Sequence, residues 1–148
     1  DLIDQLFVTL SSSKNKARTG GTLLKPEGEG VKLQIRFRDP VGPNFRGDYP
    51  AVARVDLILG EMFQETPSPD TDSNETTRVI ARFGPDDWTP VDGLFEIDYE
   101  IPSVTRSSYI RVRGTNTNEL EPQLDKWGEN PWKDLWSYSN PIFIEVID

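Results

Sequence analysis

The sequence predicts an all-β fold, an immunoglobulin-like antiparallel β-sandwich carrying one long aromatic-rich loop. Three observations lead there. Apolar residues recur with a period of two in short runs, the signature of strands with one buried face. Twelve prolines and 11 glycines punctuate the intervals between those runs, as turns in a sandwich require. No stretch calls for a helix longer than one or two turns. At 148 residues the chain suits one domain with a substantial core, residues 1–148, rather than two.

Each run can be justified in order. Residues 5–10, Gln-Leu-Phe-Val-Thr-Leu, open the chain as a strand, and residues 20–26 form a short edge strand. In residues 31–38, Val31, Leu33, Ile35 and Phe37 alternate with Lys32, Gln34, Arg36 and Arg38, a half-buried strand. Val55, Leu57 and Leu59 share one face of the next run. Residues 76–84 form a weaker strand. Phe95, Ile97, Tyr99 and Ile101 then alternate with Glu96, Asp98 and Glu100, and Ile110 and Val112 with Tyr109, Arg111 and Arg113. The closing run starts at Pro141, where a missing N–H is tolerated, and places Ile142, Ile144 and Val146 on one face. If the runs at 94–101 and 108–114 form a hairpin, one register opposes Asp98 to Arg111 and Glu96 to Arg113 while apolar faces apolar. Residues 116–140 lack a clean period and are long for a connection in a compact domain. They are expected to be a functional loop or an aromatic flap that tucks Trp136 or Tyr138 over the core. Trp88, apart from these, is expected to anchor a loop.

Composition excludes many chemistries. Sixteen basic against 25 acidic residues give a net charge of −9, a poor match for nucleic acid or anionic lipid. No apolar run approaches the roughly 20 residues of a membrane helix, so membrane insertion is not expected. The absence of Cys removes disulfides, thiolate metal sites and Cys nucleophiles. The absence of His removes the Ser-His-Asp triad, the usual catalytic zinc sites and a His general base. The chain begins at Asp1 with neither an initiator Met nor a signal-peptide pattern, and is expected to be a processed protein or the C-terminal piece of a longer one.

Four groups of residues merit a chemical reading. Glu96, Asp98 and Glu100 resemble paired glycosidase carboxylates, since strand positions two apart lie roughly 6.5–7 Å from each other, within the inverting range. Arg partners would depress their pKa and spoil a general acid, so a solvated, ion-paired face is the stronger expectation. Asp70, Asp72 and Asn74 present oxygen ligands at alternate positions, a spacing that can wrap Ca²⁺. The EF-hand pattern nevertheless fails, with Glu75 in place of its turn Gly and Ala81 in place of its bidentate Glu, which favours an ordinary polar turn. Trp127, Trp132, Trp136 and Tyr138 form an aromatic cluster that could stack on carbohydrate, against the alternative of rings packed on the sandwich. Arg36, Arg54, Arg111 and Arg113 could hold an anion, although the acidic balance favours internal neutralisation.

Several segments taken together resemble a family. Residues 40–44 (DPVGPN with Asp39), the run VDLILGEM from Val55, the VIARF of residues 79–83 with Asp86-Asp87-Trp88, YIRVRGTN from Tyr109 and DLWSYSNPIFIEV from Asp134 occur in this order. They are similar to the C-terminal region of large exported bacterial phosphoesterase-like proteins, whose N-terminal module is metal-dependent and of the polymerase and histidinol phosphatase (PHP) type. The likeness covers roughly residues 31–147, and residues 1–30 carry no signature of it. In such proteins the catalytic His and Asp ligands belong to the preceding module, so the resemblance transfers no catalytic residue and no cofactor to this chain. It implies a secreted, periplasmic or surface-bound accessory β-domain whose partner is the upstream catalytic module of the same polypeptide. A His commonly precedes the Asp-Leu-Ile run in the family, whereas this chain has Arg54-Val55. The function expected is therefore non-catalytic and structural. The alternatives are a carbohydrate-binding module working through residues 127–138 and, behind it, a carboxylate glycoside hydrolase.

Overall fold

A computed structural model describes residues 2–62 and 73–148. The strands are β1 (Gln5–Ser11), β2 (Lys16–Arg18), β3 (Thr22–Pro26), β4 (Val31–Arg38), β5 (Arg54–Glu61), β6 (Arg78–Phe83), β7 (Thr89–Val91), β8 (Leu94–Ile101), β9 (Ser108–Thr115), β10 (Trp136–Tyr138) and β11 (Ile142–Ile147). One 3₁₀ turn, Pro85–Asp87, interrupts them. They form two sheets, one in the order β2-β1-β4-β8-β7 and one in the order β3-β11-β9-β5-β6, with β10 also on β9. Among the described residues every pairing is antiparallel except β3 with β11. The fold is an all-β sandwich.

The period-two runs dictate what lies between the sheets. Val31, Leu33, Ile35 and Phe37 of β4 are buried, as are Val55, Leu57 and Leu59 of β5, Ile110 and Val112 of β9, and Ile142 and Ile144 of β11. These side chains join one continuous core. Phe83 of one sheet meets Tyr99 of the other edge-on at 5.5 Å between ring centroids, a favoured aromatic geometry. Trp88 is the expected loop anchor, packing edge-on against Phe37 at 5.1 Å.

The hairpin expected between β8 and β9 does not form. β8 pairs with β4, so that Glu96 opposes Arg36, Asp98 opposes Gln34 and Glu100 opposes Lys32. β9 lies in the other sheet and pairs with β5 along its length. Residues 102–107 carry the chain across from one sheet to the other. Buried Val104 holds this crossover: its carbonyl accepts hydrogen bonds from the Gly28 N–H and, at 2.7 Å, from Lys25 Nζ. The acid–base alternation that suggested β9 as the partner of β8 is satisfied equally by Lys32 and Arg36 of β4, so charge pairing alone could not choose the strand.

The closing segment also differs from expectation. Trp136–Tyr138 is a strand, with Trp136 opposite Thr115 and Tyr138 opposite Arg113. Both rings therefore lie on the face of β9 opposite to buried Ile110 and Val112, and neither covers the core. After three intervening residues the chain resumes pairing with β9 as β11, where Phe143 opposes Tyr109. At the break, Ser139 keeps contact by donating its N–H to the Val112 carbonyl and accepting the Val112 N–H at Oγ.

Candidate functional site

The outer face of the six-stranded sheet carries the chemistry, in two halves. Strand alternation turns Arg54, Asp56 and Ile58 of β5 outward together with Tyr109, Arg111 and Arg113 of β9. Register brings Asp56 opposite both Arg113 and Arg82. Asp56 is 1% exposed, and a carboxylate so deep needs pairing. It receives hydrogen bonds from Arg113 Nη2 at 2.7 Å and Arg113 Nε at 3.0 Å, from Arg82 Nη1 at 3.0 Å and from Arg54 Nε at 2.8 Å.

Three guanidiniums around one carboxylate leave donors to spare, and the long connection fills them. Glu121 accepts from Arg113 Nη1 at 2.7 Å. The Leu120 carbonyl accepts from Arg113 and Arg82, and the Glu119 carbonyl from Arg54. Trp136 completes the cover, its ring centroid 5.0 Å from the Arg113 guanidinium carbon and 5.9 Å from that of Arg54, within cation–π range. Burial works against the Arg113 charge, but its bonds to Glu121 and Asp56 outweigh this and raise its pKa above the usual arginine value. The Arg113 hydrogen bond in turn holds the Glu121 carboxyl below the usual range. Residues 116–135 are thus latched to the outside of the sheet by arginines.

Beyond the latch the same face is open. Ile58, Thr77, Tyr109, Arg111, Tyr138 and Phe143 line a groove of about 380 Å³. The Tyr109 ring lies directly over Gly60, where an added Cβ would come within 2.5 Å of it. Its hydroxyl shares a 2.6 Å hydrogen bond with Thr77 Oγ1. Among the described residues Arg111 takes part in no ion pair, in contrast to Arg113 two positions on.

The residues singled out by sequence are dispersed. Glu96 is ion-paired with Arg36 at 3.5 Å on the five-stranded sheet, and Asp98 accepts a hydrogen bond from Gln34. Asp98 and Glu100 border a shallow depression with Lys32 and Tyr99. Asp70 and Asp72 lie outside the described residues. Asn74 is occupied in a turn: its Oδ1 accepts from the Thr76 N–H and hydroxyl, and its Nδ2 donates to the Glu61 carbonyl. Trp127 is fully exposed, Trp132 and Trp136 are half-buried, and Tyr138 is 49% exposed on the groove. Of the four arginines, Arg54 and Arg113 meet at Asp56, Arg111 stands in the groove and Arg36 belongs to the other sheet. Among the described residues no group of three or more acidic side chains is arranged to hold a metal ion.

Asp56 and Glu121 escaped the sequence reading. A single acid inside an otherwise apolar strand, flanked in the chain by Arg54 and matched by arginines on two other runs, was the available signal. Recognising it requires knowing which strands neighbour β5. No family model and no curated protein matches the chain.

Proposed function

We propose that the chain is a non-catalytic accessory module, the C-terminal β-domain of an exported phosphoesterase-like protein, with an immunoglobulin-like topology. The order β1-β4-β8-β7 corresponds to strands A-B-E-D of that fold, and β11-β9-β5-β6 to G-F-C with an added C′, which supports the topological part. The observation that carries the functional part is the Asp56 network. Buried Asp56 and Arg113 are committed to fixing a connection in place, and each carboxylate oxygen of Asp56 and Glu121 is held by guanidinium donors. Groups so saturated build shape and do not turn over substrate.

The end of the sandwich where β1 starts offers a surface for a neighbouring module. Residues 39–53 and 116–135 both leave the sheets there, and Arg46 Nη1 bonds Asn130 Oδ1 at 3.1 Å to join them. Val41, Phe45, Tyr49, Leu124 and Trp127 are exposed on these two segments. The chain's work on this reading is to pack against the catalytic module and shape its cleft, outside the cytoplasm. The decisive assay is hydrolysis of a chromogenic phosphodiester by the purified 148-residue chain with added Mn²⁺ or Zn²⁺. No turnover above the metal-only blank is expected, and metal-dependent turnover by the isolated chain would sink the proposal.

A further inference from the structure

We propose that the open groove on the six-stranded sheet binds an acidic saccharide, a uronate-bearing oligosaccharide, with Arg111 taking the carboxylate. The inference is independent of the phosphoesterase context and needs none of the three Trp of residues 127–136.

The groove has the parts such a ligand requires. Tyr109, Tyr138 and Phe143 supply ring faces, whose negative quadrupoles attract the electropositive C–H groups of a pyranose. The Tyr109 ring is held in place before any ligand arrives, by its seat over Gly60 and its 2.6 Å bond to Thr77, so little ordering cost falls on binding. The Tyr109–Thr77 pair also sets two hydroxyls at the rim, where sugar hydroxyls can donate and accept. The volume, about 380 Å³, suits one or two sugar rings and lies within the ordinary range of ligand pockets.

Charge selects an acidic sugar over a neutral one. The chain carries 25 acidic residues against 16 basic, yet among the described residues no acid lines this groove and an arginine does. A guanidinium offers a planar pair of donors matched to a carboxylate. Arg113, its neighbour on the same face, is saturated by Asp56 and Glu121, whereas among the described residues Arg111 has no carboxylate partner. The groove is lined from β5, β9, β10 and β11, and Arg111 and Tyr138 on it are exposed, so a chain of sugars can reach it.

The probe is tri-galacturonate, followed by amide and arginine Nε–H chemical shifts at low salt, with maltotriose as the neutral control. Saturable shifts at residues 109–111 and 138–143 are expected, with the neutral sugar at least about tenfold weaker, a difference of about 1.4 kcal/mol. Arg111→Gln should remove that preference, and Tyr138→Ala should weaken both sugars; both positions are on the surface, so the variants should retain the wild-type melting temperature. The proposal is overturned if tri-galacturonate gives no saturable shift, if maltotriose binds equally well, or if Arg111→Gln binds like the parent. It is overturned equally if a Glu-rich peptide occupies the same residues more tightly, or if the shifts arise from self-association through this face.

Discussion

At the scale of single residues, Asp56 is where the structure is most exposed to damage. Its carboxylate is surrounded by Arg54, Arg82 and Arg113 and almost sealed from water. Asp56→Asn removes the negative charge and leaves three guanidiniums facing one another. Breaking one side of a buried ion cluster costs about 3–5 kcal/mol, so the urea midpoint should fall by that amount divided by the m-value. Glu121 sits at the other end of the network, with its side chain 56% exposed. Its pKa is held down in the fold, chiefly by the Arg113 hydrogen bond. A carboxyl whose folded pKa lies below its unfolded value, about 4.3, contributes stability that is complete above that value. The contribution is lost as pH falls through the folded pKa. Glu121→Gln should therefore lower stability near neutrality by no more than about 1 kcal/mol, solvent screening being strong at this exposure. The variant should also show a shallower loss than the parent below about pH 4.3. Denaturation curves collected across the acid range measure both effects.

At the scale of elements, the strands with a long alternating run were legible in sequence and their partners were not. Val31 to Phe37 and Ile110 to Val112 announce strands because every second side chain is apolar, a local property. Pairing is non-local: Glu96 and Glu100 fit Arg36 and Lys32 of β4 as readily as Glu96 and Asp98 fit the arginines of β9, and only the crossover at residues 102–107, pinned by Lys25 to the Val104 carbonyl, separates the two. β2, β7 and β10 are three residues each, too short to display a period. The aromatic cluster near the C-terminus was visible as composition, but its side of the sheet depended on the register of Trp136 with Thr115. The groove was invisible for the same reason, since its rings come from β9, β10 and β11. One element did declare itself. β11 was expected to close the fold, and it lies inside its sheet, between β3 and β9, with Ile142 and Ile144 buried. Deleting residues 141–148 strips one partner from each of those strands and opens the core. The truncated chain should show no cooperative transition by far-UV circular dichroism; a sharp melt would contradict the interior role of β11.

At the scale of the whole molecule, the two sheets share one core and are sewn together by three kinds of link. Phe83 meets Tyr99 across the interior, Val104 anchors the crossover, and Lys25 reaches from β3 to that crossover with its side chain fully buried. Burial lowers the Lys25 pKa, against the attraction of Glu29 and Glu27, and its Nζ donates to the Pro26 and Val104 carbonyls. The arginine latch adds residues 116–135 to the same unit through the outer face. Neither sheet has a core of its own to fall back on, and the latch is fastened to strands of one sheet whose inner faces need the other. Unfolding should consequently be a single event, with a heat-capacity increment of about 2 kcal/mol/K for a chain of 148 residues. The check uses two probes with different origins. Far-UV circular dichroism follows the sheets, while tryptophan fluorescence includes Trp136, which reports on the latch, and Trp88, which reports on the core. Coincident midpoints are expected in the parent chain. In Glu121→Gln the two should still coincide, at a slightly lower temperature, because Asp56 continues to hold Arg113 and Arg54 beneath Trp136 and the Glu119 and Leu120 carbonyls still accept from them. An early fluorescence transition, with the sheets intact, would show instead that the long connection is a separate unit and that the arginines do not bind it into the fold.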